Sequence, residues 1–429
     1  AFVLMQPQQQ EQKEQKKIKL NVMLPVDTIA VKNSKLQISD VDELAKQLIA
    51  LKKQNVQTVL VYVWHGLIET QPGQYDFAVY QELFDLIRAQ NLEFAPIFSF
   101  QNFESLKAFP DFIFKANGDE NRLHPEDAHG NQQKDQLAIA AFSETFEGRS
   151  FYKIFEDFLR TFREKFGDCD LVLNQMCHGR FPGEFQCFDQ LTARKMVCQG
   201  ISVQKIQNQL KNGDQIEEND NFLLMREFLE TQQVTHFQKL LQICKIFTKA
   251  KGVKLATIHW AQESHMAEHA AGIFVTKQRN GYAEILKMIS QEKAELWFAG
   301  ADRFDDDWPK FESKLSKRDQ KSKIEELIAK IGDLCREFEV PLNLVSSQPT
   351  EFDRAHLDKM IKSCKDNGAS CTIRISQQMF QPAEWFEFKE FTRYLNDEGN
   401  YVVIAQIGSF GAIIVIGLIY FLVDKILKN

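Results

Sequence analysis

The chain has 429 residues, of which 44% are hydrophobic and 26% charged, and its formal net charge is −7 at pH 7. This length suits one (β/α)₈ barrel or two ordinary globular domains. A net negative charge gives no reason to expect nucleic acid as a partner, because binding to phosphate backbones needs a basic surface. The eight cysteines contain no CxxC pair, so we predict free thiols in a reducing compartment, with no metal site and no cofactor.

Most of the chain alternates between two hydrophobic patterns. Short β-branched runs, typical of buried strands, alternate with stretches that carry apolar residues at helical spacing. The predicted strands are Ile18–Met23, Thr58–Val63, Phe94–Phe98, Leu171–Met176, Lys254–Ile258, Leu296–Phe298, Leu342–Val345 and Cys371–Ile375. The predicted helices are Val41–Lys53, Tyr75–Gln90, Phe151–Phe166, Asn221–Ala250, Gly281–Ser290, Ile324–Phe338, Ala355–Asn367 and Glu384–Leu395. This alternation predicts an α/β fold, a (β/α)₈ TIM barrel over residues 18–395.

The two ends of the chain differ from this pattern. Residues 1–17 are polar and rich in glutamine and lysine, which is typical of a solvated lead-in. Residues 401–423 contain no charged side chain. At about 1.5 Å per residue they are long enough to cross a hydrocarbon core of about 30 Å. We therefore predict one transmembrane helix, joined to the barrel by a short linker at 396–400 and followed by a tail at 424–429.

Further features bear on the predicted membrane helix. Gly408, Gly411 and Ala412 are small residues that permit close packing against another helix. Lys425 and Lys428 favour the positive-inside face of the membrane for the tail, so the barrel would lie on the opposite side. The start without methionine, the absence of any Asn-x-Ser/Thr sequon and the unpaired cysteines favour a mitochondrial inner membrane.

Short motifs occur along the barrel region in a fixed order. They are Asn21–Pro25 (NVMLP), Val63–Glu69 (VWHGLIE), Gln74–Asp76 (QYD), Gly183–Asp189 (GEFQCFD), Ile258–Trp260 (IHW) with Lys254 before it, and Asn280–Tyr282 (NGY). In sequence and order they resemble the motifs of the β-amylases, glycoside hydrolase family 14. The seven-residue match is the most specific, since it departs from the family's G-E-F-Q-C-Y-D at one position only. The resemblance implies a β-amylase barrel.

The resemblance also locates the two carboxylates that hydrolysis would require. Enzymes of this family release maltose with inversion, which needs a general acid and a general base about 6.5–9.5 Å apart. The stretch that carries the acid is shortened here to residues 176–182, so Glu184 aligns with a second, noncatalytic glutamate. Ser346 stands at the position of the base, and a serine cannot accept a proton as a carboxylate does. Glu184, Asp302 and Glu351 are therefore the candidate replacement carboxylates.

Several residues of the implied glucan-binding pocket are also changed. Tyr62 stands where the family has an aspartate, Ala299 replaces a threonine, and Gln101–Phe103 replaces a longer lid. The implied substrate-binding residues that remain are Trp64, Lys254, His259 and Trp260. Lys254 has two interpretations, as a donor to a glucosyl hydroxyl or as a strand-end lysine with a structural partner.

Three hypotheses for the function follow. The first is a catalytically inactive β-amylase-like barrel with one membrane helix, an accessory subunit of a membrane assembly such as a mitochondrial respiratory or ATP synthase complex. Its partners would be the other subunits and the bilayer. The second is a maltose-releasing glucan hydrolase with relocated carboxylates, and the third is a noncatalytic sugar-binding protein. We favour the first, because acid, base and lid are lost together while the scaffold motifs persist.

Overall fold

The computed structural model describes residues 18–32, 35–115, 120–174, 187–212, 220–256, 281–301, 323–346, 354–376 and 380–396. Within these ranges eight parallel strands close into one barrel, in which each strand pairs with its neighbours along the chain and the last pairs with the first. The barrel strands are β1 (Leu20–Met23), β2 (Thr58–Val63), β3 (Glu93–Ser99), β4 (Leu171–Asn174), β5 (Lys251–Ala256), β6 (Glu295–Ala299), β7 (Leu342–Val345) and β8 (Ser370–Arg374).

A long helix follows each barrel strand. These helices are α1 (Val41–Lys53), α2 (Ala78–Ala89), α3 (Phe151–Phe166), α4 (Asp220–Ile243), α5 (Gly281–Gln291), α6 (Lys323–Glu337), α7 (Arg354–Asn367) and α8 (Pro382–Asn396). The predicted (β/α)₈ TIM barrel is thereby confirmed. Helix α4 ends earlier than predicted, because a 3₁₀ turn at Cys244–Ile246 follows it and β5 already begins at Lys251.

Shorter elements lie between these barrel units, and the sequence did not predict them. Short helices span His65–Ile68, Asp111–Lys115, Gln190–Cys198 and Val203–Lys211, and 3₁₀ turns span Glu120–Leu123 and Ile139–Ser143. Two-stranded antiparallel hairpins pair Ile29–Lys32 with Lys35–Ile38, Glu69–Gln71 with Gln74–Tyr75, and Thr145–Phe146 with Arg149–Ser150. Most of them follow the carboxyl ends of β1, β2 and β3 and therefore cover the face where TIM barrels carry their sites.

The barrel closes in parallel register between its first and last strands. Leu20 lies opposite Cys371, and Met23 lies opposite Arg374. Strands β1 and β2 are buried along their whole length, as expected for parallel strands that helices cover on one face and the barrel interior covers on the other. This closure brings all eight carboxyl ends to one mouth.

Phenylalanine rings fill the layer between the barrel and α3. The helix begins after Ser150, whose hydroxyl accepts the N–H of Lys153 at 3.3 Å, and its buried aromatic residues are Phe151, Phe155, Phe158, Phe162 and Phe166. The ring of Phe158 lies 5.9 Å from that of Phe98 on β3. Aromatic pairs of this kind add about 0.5–1.5 kcal/mol each beyond the area that they bury, so α3 holds its strand firmly.

The predicted membrane helix lies outside the described residues, as do Gly408, Gly411 and Ala412 within it. In the part of the chain that is described, no helix is both long and apolar enough to cross a bilayer. The transmembrane helix at 401–423 therefore stays a prediction. The seven cysteines that are described are free thiols, as the sequence predicted for them.

Candidate functional site

Three ionisable side chains stand at the carboxyl end of the barrel. Among the last three residues of each of the eight strands, the ionisable ones are Tyr62 on β2, Lys254 on β5 and Arg374 on β8. None of these strand-end residues is a carboxylate. Because TIM-barrel sites are built at this end, the candidate site is a mouth that combines one phenol with two cations.

Tyr62 and Lys254 meet across the interior of the barrel. Each side chain lies close enough to shift the pKa of the other, and only 7% of Tyr62 and 6% of Lys254 is exposed. Burial lowers the pKa of Lys254, the nearby Arg374 lowers it further, and Tyr62 offsets only part of this decrease. Burial in a low-dielectric interior disfavours the charged form of an amine, so the buried ammonium lowers the stability of the fold.

The direction of the pKa shift of Tyr62 indicates the sign of the electrostatic potential around it. Burial by itself would raise the pKa of the phenol, yet Lys254 and Arg374 together hold this pKa below its ordinary value. Within the described part of the chain, no carboxylate contributes to the pKa of Tyr62 or of Lys254. The described residues therefore give the mouth a positive potential.

Trp64 lies directly behind this cluster and is buried. Its ring stacks on Tyr62 with a centroid distance of 5.5 Å, and its backbone N–H donates to the hydroxyl of Tyr80 at 2.9 Å. Gly66 fits here because a Cβ at that position would lie 2.1 Å from the carbonyl oxygen of Phe109. Tyr62 thus covers one face of the buried indole.

Ser346, which occupies the position of the implied general base, is also buried. It follows β7 directly, and its hydroxyl oxygen accepts the backbone N–H of Arg374 at 2.8 Å. Its own N–H donates to the carbonyl of Thr372 at 3.0 Å. The serine therefore links the ends of β7 and β8 and helps to fix the backbone that carries the Arg374 side chain.

The lid position is occupied by a compact turn. The N–H of Asn102 donates to the carbonyl of Asp135 at 2.7 Å, and the side-chain oxygen of Asn102 accepts the N–H of Ala108 at 2.7 Å. Phe103 and Leu106 exchange backbone hydrogen bonds. Residues 101–103 are thus tied to their neighbours, and they offer no long loop that could fold over a glucan.

The other predicted site residues lie outside the described residues. They are Glu184, Asp302 and Glu351, the candidate carboxylates, and His259 and Trp260, the candidate substrate-binding residues. In the part of the chain that is described, no group of three His, Cys, Asp or Glu side chains is arranged to hold a metal ion. Of the predicted substrate-binding residues, the structure therefore brings Trp64 and Lys254 together around Tyr62.

Sequence similarity points in the same direction as the barrel geometry. Residues 21–196 match the family model of Glycosyl hydrolase family 14. The chain is 24% identical to Beta-amylase 2, chloroplastic, of Oryza sativa, over 88% of this chain and 77% of that protein. It is 23% identical to the Beta-amylase of Glycine max, over 90% of this chain and 88% of that protein. The chain is β-amylase-like.

Solved structures support the same fold. The catalytic domain of β-amylase from Paenibacillus polymyxa superposes with a TM-score of 0.67 at 16% identity, covering 89% of this chain and 99% of that one. At this identity the likeness establishes the β-amylase-like TIM barrel and says nothing of activity. The chemistry of this barrel must therefore be argued from its own residues.

A buried histidine and glutamate support the mouth of this β-amylase-like barrel from outside. The Nε2 of His65 and the Oε2 of Glu69 are 2.6 Å apart, and both side chains are buried. The other oxygen of Glu69 accepts the N–H of Gly73 at 2.8 Å, and the imidazole stacks on Phe158 at 4.0 Å. Burial lowers the pKa of His65, although Glu69 partly opposes this effect. The pair thus anchors the segment after β2 to α3.

Arg374 was not identified from the sequence. Its signal was a single basic residue at the end of an otherwise uncharged strand, Cys371–Arg374, where a buried parallel strand ordinarily ends in apolar residues. Tyr62 was recognised only as a lost aspartate, because the partner that the phenol contacts is far away in the sequence. Tyr62 and Arg374 come close to Lys254 only when the barrel closes, so the sequence alone could not reveal their role in the site.

We expect stability to decrease as the pH falls, partly because of His65. The folded protein holds the pKa of His65 below its ordinary value, so stability is fully present above about pH 6.5 and is lost as the unfolded chain takes up a proton first. Between pH 7.5 and 5.5 this contribution should be about 1 kcal/mol, measured by urea unfolding.

His65→Gln should reduce this pH dependence, while the matched replacement of exposed His129 by Gln should leave it intact. Full retention of the pH dependence in His65→Gln would contradict the assignment.

A second prediction separates the two interpretations of Lys254. The double replacement Tyr62→Phe, Lys254→Met removes a buried ammonium and leaves no hydroxyl unpaired, so we expect it to raise the free energy of unfolding by about 1–2 kcal/mol. Lys46→Met, on a lysine whose side chain is 74% exposed, should stay within about 0.5 kcal/mol of the wild type. If the double variant loses stability, Lys254 is a structural residue.

Proposed function

We propose that this chain is a catalytically inactive β-amylase-like protein that serves as an accessory subunit of a membrane assembly. The observation that carries the proposal is the composition of the barrel mouth, where Tyr62, Lys254 and Arg374 are the ionisable strand-end residues. Inverting hydrolysis requires one carboxylic acid and one carboxylate on opposite sides of the scissile bond. A phenol, an ammonium and a guanidinium do not supply that pair.

The position of the general base argues in the same direction. The hydroxyl oxygen of Ser346 already accepts a backbone N–H, and a serine hydroxyl is far too weak a base to activate water without a partner. Tyr62 meanwhile covers the ring of Trp64, so a glucose ring would have to displace a buried phenol before it could stack there. Sugar binding without catalysis is thus less well supported.

The membrane role rests on the sequence. An uncharged segment at 401–423 follows the barrel after a linker of only residues 396–400, and such a short linker would hold the barrel close to the bilayer. The other subunits and the lipid bilayer are the proposed partners, and the mitochondrial inner membrane is the proposed location. A barrel that keeps its scaffold without its chemistry is suited to a structural role in such an assembly.

One observation favours a second candidate, a glucan hydrolase of β-amylase type. The similarity to proteins named as β-amylases spans nearly the whole barrel, and three carboxylates, Glu184, Asp302 and Glu351, follow strands β4, β6 and β7 in the sequence. This candidate requires two of them to face each other across the mouth, about 6.5–9.5 Å apart.

Assay of maltose release distinguishes the two candidates. We expect the full-length chain in mild detergent to release no maltose from soluble starch, because the described strand ends at its mouth carry no carboxylate, while soybean β-amylase serves as the positive control. Release of maltose that disappears in Glu184→Gln would establish the hydrolase instead.

Native mass tests the subunit role. Extracted from its own membranes in mild detergent, the 49.7 kDa chain should migrate in a stable complex of several times that mass. Ile414→Arg should abolish membrane insertion and assembly, because a charge at the centre of a membrane helix costs about 2.5–3.5 kcal/mol or more, whereas Ile414→Leu should preserve both. Migration as a lone monomer would contradict the proposal.

A further inference from the structure

The described strand ends of the candidate site carry two cations and no carboxylate. By the resemblance, Tyr62 and Ser346 each replace a carboxylate, while Lys254 and Arg374 stand at the same mouth. Neither replacement introduces a negative charge to balance these cations. The electrostatic character of the mouth therefore differs from that of a pocket built to hold a neutral glucan between cations and carboxylates.

Lys254 is the residue whose burial demands a counterion. It is 6% exposed, and among the described residues its pKa is shifted by Tyr62, which raises it, and by another cation, Arg374, which lowers it. A buried ammonium is costly unless it is paired and hydrogen-bonded. An ammonium has three donors, and a single phenol can accept only one of them, which leaves donors for a ligand.

Arg374 connects this buried charge to solvent. Its side chain is half-buried, and its backbone is fixed by Ser346 on one side and by pairing with Met23 on the other. A guanidinium at a rigid strand end is suited to bidentate contact with a planar or tetrahedral oxyanion. A ligand that reaches the mouth from solvent would therefore meet Arg374 before it reached Lys254.

The pKa of Tyr62 agrees with the positive charge of the described strand ends. Two cations overcome the effect of burial and favour the anionic form of this phenol. The same potential would favour any anion placed between the two cations, and a ligand that brings its own charge would leave the phenol free to remain neutral and donate its proton to a ligand oxygen.

We propose that the mouth of the barrel is an anion-binding site, in which Lys254, Arg374 and the hydroxyl of Tyr62 hold a phosphate group. This inference goes beyond the accessory-subunit role and does not depend on it. The phosphate belongs either to a soluble phosphate ester or to a phospholipid headgroup, and the two sources have the same recognition chemistry.

Calorimetric titration of the full-length protein in mild detergent tests the site. The probes are inorganic phosphate, glucose 6-phosphate, short-chain phosphatidic acid and, as the neutral comparison, maltose. We expect one phosphate-bearing probe or more to bind with one-to-one stoichiometry and maltose not to compete. Binding of glucose 6-phosphate alone identifies a soluble ester, and binding of phosphatidic acid alone identifies a headgroup.

Substitutions at the three proposed residues test whether phosphate binds at the mouth of the barrel. Lys254→Met and Arg374→Met should each weaken phosphate binding by about tenfold or more, as expected for the loss of one charge-assisted contact. Tyr62→Asp, which places a carboxylate between the two cations, should abolish it. Arg374→Lys should retain part of the affinity, and Lys46→Met, on the exposed face of α1, should have no effect.

Thermal unfolding shows whether each variant is folded and whether phosphate stabilises it. Phosphate should raise the melting temperature of the wild type and of Lys46→Met, and it should not raise that of Lys254→Met. If no phosphate-bearing probe binds, or if Lys254→Met binds as the wild type does, the inference is overturned. Either result leaves the maltose assay and the native mass unaffected, so the failure of this inference is distinguishable from a failure of the proposed function.

Discussion

The closure of the barrel between β1 and β8 is the constraint on which the rest of the structure depends. Parallel pairing of Leu20–Met23 with Cys371–Arg374 joins the two ends of the barrel region and turns eight separate strands into one ring. Residues far apart in the sequence, Tyr62, Lys254 and Arg374, then share one low-dielectric space. Each would be an ordinary exposed residue in an open chain, and in the closed barrel Lys254 and Arg374 together create a stronger positive potential than either would alone.

Within that space, the burial of Lys254 lowers the stability of the fold, and the aromatic packing around it raises that stability. The phenylalanine layer around α3 and the His65–Glu69 pair hold the end of β2 in place, which keeps Tyr62 against Trp64 and Lys254. The stability that this layer supplies offsets the cost of a buried amine. The proposed anion site gives this costly amine a use, because a bound phosphate would supply the negative charge that the described residues around Lys254 do not.

The fold could be predicted from the sequence because its signals are local and periodic. Strands Thr58–Val63 and Leu342–Val345 have the predicted bounds, since short apolar runs next to amphipathic helices have few other interpretations. The site could be predicted only in part. Motif spacing located Trp64 and Lys254, but it could not show that Tyr62 stacks on Trp64 and shifts the pKa of Lys254. This interaction joins a residue of β2 to a residue of β5 through the barrel interior, and the periodicity of the sequence gives no sign of it.

The replacement of an implied aspartate by Tyr62 is the change that connects these observations. A tyrosine is larger than an aspartate, so it fills the space over Trp64, and it is neutral in its ordinary state, so it leaves Lys254 and Arg374 uncompensated. One substitution thus blocks stacking of a sugar ring and shifts the mouth toward positive potential. A single residue can change the ligand class of a barrel in this way because Tyr62, Trp64 and Lys254 are all buried, so steric and electrostatic effects act on the same atoms.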